Sequence, residues 1–267
     1  MSYCACLPQP ALRRLVKCYW HLDDPAAEGG NHTVLPDGCM EIIVHFGALP
    51  RMTSDGRVPV SAQRAFVGGQ ISRAIGLEPT GRIGMVGVRL WPWGGGPLLG
   101  IAMQEIASES VNLADIAGHG AADLPGRLAA ATDAEQRFRI VDRFMLVLGR
   151  RAAGVNPLAA AAIRQLDRTH GSVSVAGLVA ELGVSERHLN RILQHNVGLS
   201  AKSYARIRRF QSCIGAIRRG DVTSLADAAH HAGYTDQAHL SHDLKKLCGL
   251  TPRALLQEQR LLVEPGG

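Results

Sequence analysis

The sequence has few of the features that mark membrane proteins, disulfide-rich proteins or zinc proteins. None of its apolar runs approaches the roughly 20 consecutive residues that a helix needs to cross a bilayer. Its six cysteines, at positions 4, 6, 18, 39, 213 and 248, are too scattered for a disulfide framework, and they include no Cys-x-x-Cys pair. The first ten residues lack the basic segment and apolar core of a signal peptide. We therefore expect a cytoplasmic protein with reduced thiols and no membrane partner.

The usual catalytic motifs are missing too. A metal-dependent enzyme needs clustered His and carboxylate ligands, but His21, His32, His45 and His119 are isolated and no His-x-His occurs. The chain also has no Gly-x-Ser-x-Gly elbow and no phosphate-binding Gly-Lys-Ser/Thr loop. The sequence thus predicts no enzyme activity, no cofactor and no metal site.

Positive charge is concentrated towards the C-terminus. The formal net charge is +6, and 46% of the residues are hydrophobic, enough for a sizeable core. From Pro157 onward the chain has 14 Lys and Arg against 9 Asp and Glu, whereas the longer part before it has 15 against 14. Seven of the eleven histidines also follow Pro157. Such an excess suits a polyanionic partner.

The chain reads as β structure up to about Gly100. Short apolar runs are separated by Gly and Pro turns, as at Leu35-Pro36-Asp37-Gly38 and Asp55-Gly56. The stretch Cys39–Phe46 alternates, with apolar side chains on one face and Glu41 and His45 on the other, which indicates a strand buried on one side. Recurring strands of this kind predict a small barrel or sandwich.

Beyond Gly100 the pattern becomes helical. Thr132–Arg151 carries an apolar stripe at spacings of three and four, with Thr132 or Asp133 as the cap. This helix either packs on its own domain or serves as a dimerisation helix, and the sequence leaves both readings open. Gly154-Val155-Asn156-Pro157 interrupts the helical pattern as a linker would. We therefore divide the α+β chain into an N-terminal domain, residues 1–153, and an all-α C-terminal domain, residues 154–267.

Two segments of the C-terminal domain share one plan. In the first, a helix over Ser174–Leu182 ends at Gly183, and Ser185 caps a second helix, Glu186–Gln194. In the second, a helix over Ser224–Ala232 ends at Gly233, and Asp236 caps a helix to about Leu247; Ala201–Arg219 reads as one connecting helix. A helix, a Gly turn and a capped helix form a helix-turn-helix, whose second helix enters the DNA major groove. Two such units predict a protein that binds double-stranded DNA.

The polar residues of the two capped helices point away from their apolar faces. Arg can read guanine, Asn and Gln can read adenine, and Lys can hold phosphate. The predicted DNA-binding residues are Glu186, Arg187, Asn190, Arg191 and Gln194 in the first helix, and Gln237, Ala238, Ser241, His242, Lys245 and Lys246 in the second.

These segments resemble the DNA-binding domain of the AraC/XylS family of bacterial transcription regulators. The resemblance runs from about Leu158 to Leu256 and is most specific in two runs, Ala232-Gly233-Tyr234-Thr235-Asp236-Gln237-Ala238-His239-Leu240 and Gly249-Leu250-Thr251-Pro252. It implies that both recognition helices insert into successive major grooves on one face of DNA. It also makes RNA polymerase and a second copy of the chain candidate partners.

Three positions depart from the family pattern. Ile192 and Leu244 stand where the family usually has Phe, and such apolar exchanges in a core are tolerated. His242 stands where the family usually has Arg, so a fixed cation is lost at a DNA contact. This predicts a weaker second unit, or a grip that depends on pH near neutrality. Equal affinities at pH 6 and pH 8 in the same salt would rule out the pH effect.

The N-terminal part resembles, less sharply, the sensor domain of a subgroup of these regulators. The residues that carry this are Tyr19-Trp20, Leu35–Ile43, Val67–Gln70 and Val88–Gly94. The resemblance implies a small cupin-like barrel that binds a small-molecule effector, and the mouth of such a barrel is where a pocket is expected. The candidate ligand-binding residues are Glu41, His45, Arg89, Trp91 and Trp93.

Two other functions remain open for the N-terminal domain. In the first, the domain serves only for dimerisation or protein interaction. In the second, it is a metal or thiol sensor that uses Cys4, Cys6 and the scattered histidines. A ligand bound in the barrel would exclude the first, and metal analysis of the purified protein would test the second.

Overall fold

The computed structural model describes residues 1–25, 32–52, 63–222 and 224–249. Strands fill the first part of the chain: β1 Ser2–Cys6, β2 Val16–Asp24, β3 His32–Val34, β4 Glu41–His45, β5 Arg51–Met52, β6 Ala65–Gly68, β7 Ile75–Glu78, β8 Ile83–Leu90 and β9 Ser110–Asn112. The Asp55-Gly56 turn and the Thr251-Pro252 end of the family motif lie outside the described residues.

Helices follow the strands. Two 3₁₀ helices span Pro10–Leu12 and Met103–Ile106. The α-helices are α1 Gly95–Leu99, α2 Leu113–Ala117, α3 His119–Ala122, α4 Leu124–Ala130, α5 Ala134–Gly149, α6 Pro157–Arg168, α7 Val175–Leu182, α8 Glu186–Val197, α9 Ala201–Arg219, α10 Leu225–His231 and α11 Gln237–Cys248. The α+β class predicted from the sequence is confirmed. Among the described residues, no helix combines the length and the hydropathy that crossing a membrane requires.

The strands pair antiparallel in two sheets. The larger has the order β1-β2-β8-β4-β6-β9, and the smaller has β3-β7-β5. The apolar face predicted for β4 is present, since Ile42 and Val44 are buried with Val141 and Met145 of α5 in one core. The prediction that only one side of the strand is buried is wrong, because His45 on the other side is 3% exposed. Burying such aliphatic side chains stabilises the fold by about 1.5–3 kcal/mol each. Glu41 and His45 therefore lie on the face of the sheet away from α5.

Helix α5 begins where its sequence predicts. The Asp133 side chain accepts a hydrogen bond from the Gln136 backbone N–H at 2.8 Å and so caps the helix. Val141 and Met145 pack on the sheet of the same chain, as the first of the two sequence readings requires, while Val147 on the outer side is 56% exposed. The dimerisation reading stays a prediction.

Residues 154–156 of the predicted linker carry no regular secondary structure, whereas Pro157 already begins α6. The two parts of the chain meet closely around this segment. Val155 packs against both hydrophobic cores. Gln211 of α9 donates a hydrogen bond to the Pro36 backbone oxygen at 2.6 Å, and the Ala74 backbone N–H donates to the Leu247 oxygen, also at 2.6 Å. The two predicted domains therefore pack against each other along a close seam.

Candidate DNA interface and ligand site

The first helix-turn-helix consists of α7 and α8. The Ser185 hydroxyl accepts a hydrogen bond from the His188 backbone N–H at 3.2 Å, which satisfies one of the free N–H groups at the start of α8. Gly183 ends α7 with φ of 66°, a left-handed conformation that glycine adopts without penalty. Leu178, Leu189 and Leu193 are fully buried between the helices. The predicted turn, cap and apolar face are thus all present.

The second unit, α10 and α11, repeats this geometry. Asp236 caps α11 by accepting from the His239 backbone N–H at 2.7 Å, and Gly233 has φ of 73°. Leu240, Leu244 and Leu247 are buried, as the sequence predicts. Two capped helices therefore present their opposite, polar sides outward.

Helix α9 holds the second unit through a buried ion pair. Arg206 Nε of α9 lies 3.2 Å from Asp243 Oδ1 of α11, and the Asp243 side chain is only 2% exposed. The burial of a carboxylate requires such a partner. Sequence reasoning missed this pair, because Asp243 reads as one more polar residue on an amphipathic helix.

Most of the predicted DNA-binding side chains are exposed. This holds for Glu186, Arg187, Arg191, Gln194, Gln237, Ala238, His242, Lys245 and Lys246, while Asn190 and Ser241 are half-buried. The Ser241 hydroxyl donates to the Gln237 backbone oxygen within α11. Asn190 Oδ1 accepts from the Ala201 backbone N–H at 3.1 Å, at the start of α9. Asn190 thus already has a structural partner between two helices, which its position on a helical wheel could not reveal.

Two of the candidate ligand-binding residues form a buried ion pair. Glu41 and Arg89 face each other on β4 and β8, with Arg89 Nε 3.1 Å from Glu41 Oε1. Trp20 Nε1 donates to the same oxygen at 2.9 Å, and Asp37 pairs with the Arg89 Nη2. Burial raises the pKa of Glu41, an effect that the charge of Arg89 opposes. Burial lowers the pKa of Arg89, but the charges of Asp37 and Glu41 outweigh it and the net shift is upward.

His45 is separate from that pair. It is 3% exposed and stacks on Phe66 with ring centroids 6.0 Å apart. Burial, together with the charge of Arg64, lowers the pKa of His45 to about 4, so that the ring is neutral at neutral pH.

Trp91 and Trp93 form a third group. Their rings stack at 5.4 Å with an angle of 4°, and they line a cavity of about 600 Å³. Neither this cavity nor a second one of about 440 Å³ beside His21 and Arg137 is lined by Glu41, His45 or Arg89. The structure therefore does not bring the five candidates into one site. Sequence reasoning missed Arg13, Arg14, Arg164 and Asp167, which line the tryptophan cavity from two further segments of the chain.

The thiols are poorly suited to a sensing role. Burial raises the pKa of Cys6 to about 11, and it also raises the pKa values of Cys4, Cys18 and Cys39. Reactive cysteines have lowered pKa values instead, because the thiolate is the nucleophile. Within the described ranges, no group of three or more His, Cys, Asp or Glu residues is arranged to hold a metal ion.

Comparisons with known proteins match two segments of the chain. Residues 178–258 match the family described as "Helix-turn-helix domain", and residues 5–112 match "Domain of unknown function (DUF6597)". Among solved structures, ToxT from Vibrio cholerae is 9% identical and aligns over 96% of this chain and 97% of its own, with a TM-score of 0.47. A structure described as unsaturated fatty acid bound wild-type ToxT from Vibrio cholerae is 11% identical over 99% and 98%, with a TM-score of 0.45.

The geometry and the family match define the class of the protein as a DNA-binding transcription regulator. The C-terminal domain is a helix-turn-helix domain of the AraC type, which confirms the resemblance stated from the sequence.

Proposed function

We propose that the protein binds a specific DNA sequence with α8 and α11 in successive major grooves, and that a small-molecule effector bound by residues 1–153 controls this binding. The observation that carries the first half is the pair of capped helices with exposed polar faces, joined by the single helix α9. Two recognition helices on one frame reach half-sites about one helical turn apart.

The exposed side chains supply chemistry for base reading and for phosphate binding. Arg187 and Arg191 suit guanine, Gln194 and Gln237 suit adenine, and Glu186 accepts from cytosine. The apolar Ala238 suits a thymine methyl group. His242, Lys245 and Lys246 suit phosphate, and phosphate contacts make binding depend steeply on salt. Asn190 contributes less, because its side-chain oxygen is engaged by Ala201.

Effector control is supported by the seam between the proposed domains, 1–153 and 154–267. Tyr204 of α9 lies against Gly38, where a Cβ atom would come within 2.8 Å of its ring. A ligand that binds one arrangement of such packed elements better than another shifts the population towards it. The reading in which the N-terminal domain only dimerises is favoured by the exposed Val147 on α5.

Selection of random duplexes with the full-length protein at physiological salt tests the proposal. We use the full chain because Trp93 of the N-terminal part packs in the core of the C-terminal helices. An enriched motif of two short blocks about 10 base pairs apart is expected. Weak, salt-sensitive binding to all duplexes without a motif would contradict sequence-specific recognition. A metabolite panel that leaves both the melting temperature and the operator affinity unchanged would contradict effector control.

A further inference from the structure

The cavity beside the tryptophan pair lies at the seam between the two parts of the chain. Arg13, Arg14, Trp91 and Trp93 line it from the N-terminal part, while Arg164 and Asp167 line it from α6. Its volume of about 600 Å³ is within the 300–1,000 Å³ that is typical of small-molecule sites. We call it the seam cleft.

The wall of the seam cleft is aromatic and held in place. Trp91 Nε1 donates to the Arg13 backbone oxygen at 2.9 Å, and Trp93 Nε1 donates to the Arg14 backbone oxygen at 3.1 Å. Arg164 of α6 lies over the Trp93 ring, 5.4 Å from its centroid, and so joins the two sides by a cation–π contact. Both indole N–H groups are satisfied, and the Trp93 ring is covered by Trp91 and Arg164. The apolar surface that the wall offers is therefore that of Trp91, and Lys17 Nζ lies 5.9 Å from the centroid of its ring.

The cations of the seam cleft are not neutralised. Among the described residues, no acidic group lies within ion-pair distance of Arg13, Arg14 or Arg164. The one carboxylate in the lining, Asp167, is already engaged: it accepts from Tyr204 Oη and lies 2.9 Å from Arg208 Nε. Three arginines line the cleft, with the Arg164 guanidinium over the aromatic wall and Arg13 Nε donating to the Pro8 backbone oxygen at 3.1 Å. Their combined positive charge exceeds what a single carboxylate needs, and guanidinium binds phosphate through paired hydrogen bonds.

We propose that the seam cleft binds a planar aromatic compound with a doubly charged anionic group, such as an aromatic phosphate. This assignment rests on the proposed function in that it places the effector site and names the ligand class. Because the ligand touches both sides of the seam, it favours one arrangement of α6 against the N-terminal part. Asp167 connects α6 to Tyr204 and Arg208 of α9, the helix that joins the two recognition units.

Isothermal titration of the full-length protein with 1-naphthyl phosphate tests the assignment. Arg164→Gln and Arg14→Gln remove exposed side chains, so the fold is retained, and each is expected to weaken binding about tenfold by deleting a charge-assisted contact. The control Arg143→Gln removes an equally exposed charge on α5, outside the cleft, and leaves the affinity within about twofold. Neutral 1-naphthol and inorganic phosphate, each lacking half of the ligand, bind more weakly than 1-naphthyl phosphate.

Three results would overturn the assignment: no binding of 1-naphthyl phosphate at millimolar concentration, equal binding of 1-naphthol, or equal loss with Arg143→Gln. The assignment would also be overturned if random DNA fully displaced 1-naphthyl phosphate and Arg164→Gln weakened the binding of that DNA. The cleft would then be a contact for DNA phosphate. Operator affinity is measured separately without ligand. If the protein binds its operator but not 1-naphthyl phosphate, this assignment alone is refuted. If it does not bind an operator, the proposed function is refuted.

Discussion

The two recognition units are built alike but are held differently. The first is packed from behind by the N-terminal part: at Gly198, the C-cap of α8, a Cβ atom would lie 2.9 Å from the Met103 backbone oxygen, and Gly96 lies against Asn196. The second is tied to α9 by the Arg206–Asp243 ion pair and meets the N-terminal part through the hydrogen bond from Ala74 to Leu247.

This difference shows where control can act. A rearrangement of the N-terminal part reaches α8 directly through packed backbone, but it reaches α11 chiefly through α9. We therefore expect effector binding to move α11 relative to α8, which stays packed against the N-terminal part.

The largest effect is expected from breaking the Arg206–Asp243 ion pair, which holds α11 to α9. Asp243→Asn leaves Arg206 without its buried counter-charge, and we expect a loss of about 3 kcal/mol in the free energy of unfolding, at the lower end for buried pairs because Arg206 is 24% exposed. Urea unfolding measures the loss, and hydrogen exchange should increase in α11 more than in α8. The control Arg219→Ala breaks the exposed pair with Asp221 and costs under about 1 kcal/mol. Equal costs for the two variants would refute the role of Asp243.

The C-caps of the two recognition helices give a matched pair. Gly198 and Gly249 have φ of 84° and 73°, but among the described residues a Cβ atom at Gly249 meets nothing within 4 Å. We expect Gly249→Ala to cost about 1 kcal/mol from backbone strain alone, and Gly198→Ala about 2 kcal/mol because the Met103 backbone must also shift. Thermal and urea unfolding of both variants check this. Indistinguishable costs would mean that the N-terminal part does not grip α8.

Base reading is distinguished from phosphate binding by comparing Arg191 with Lys245. Arg191→Ala should weaken operator binding by roughly 1–3 kcal/mol and relax selectivity at one position. Lys245→Ala should weaken operator and random DNA alike and reduce the salt slope by about 1. Affinities on both duplexes at several salt concentrations measure these effects. An equal loss on both duplexes for Arg191→Ala would show that this arginine contacts only phosphate.

The smallest effect concerns the fixed cation missing from the second unit. His242→Arg should tighten binding to any duplex a few-fold at low salt and steepen the salt dependence by about one counterion. Lys202→Gln, an exposed charge on α9, serves as a control for general charge effects. An unchanged salt slope in His242→Arg would place residue 242 away from the DNA backbone.

Much of the C-terminal domain could be predicted from the sequence because local chemistry determines it. Ser185 and Asp236 cap the helices that they were predicted to cap, and α9 spans Ala201–Arg219 as expected. Helix α8 continues to Val197, beyond the predicted Gln194, because Gly198 supplies the stop one turn later. Caps, glycine turns and apolar periodicity act within one or two turns of helix, which a sequence displays directly.

The ligand site depends on contacts that are distant in sequence. The period of β4 placed Glu41 and His45 on one face, but it could not show that Arg89 pairs with Glu41. The seam cleft joins residues near positions 14, 92 and 165, and no local pattern links an arginine after a 3₁₀ helix to an arginine on α6. Likewise Asn190 looked free for DNA until α9 was in place beside it.

We expect both helix-turn-helix units to bind one face of the same DNA. The most direct measurement is the affinity of the full-length protein for a selected operator before and after insertion of 5 base pairs between the two blocks. Half a helical turn moves the second block to the opposite face of the duplex. We expect the affinity for the operator with the insertion to fall at least about tenfold, to the affinity measured for a duplex that carries one block. Unchanged affinity after the insertion would contradict simultaneous binding by α8 and α11.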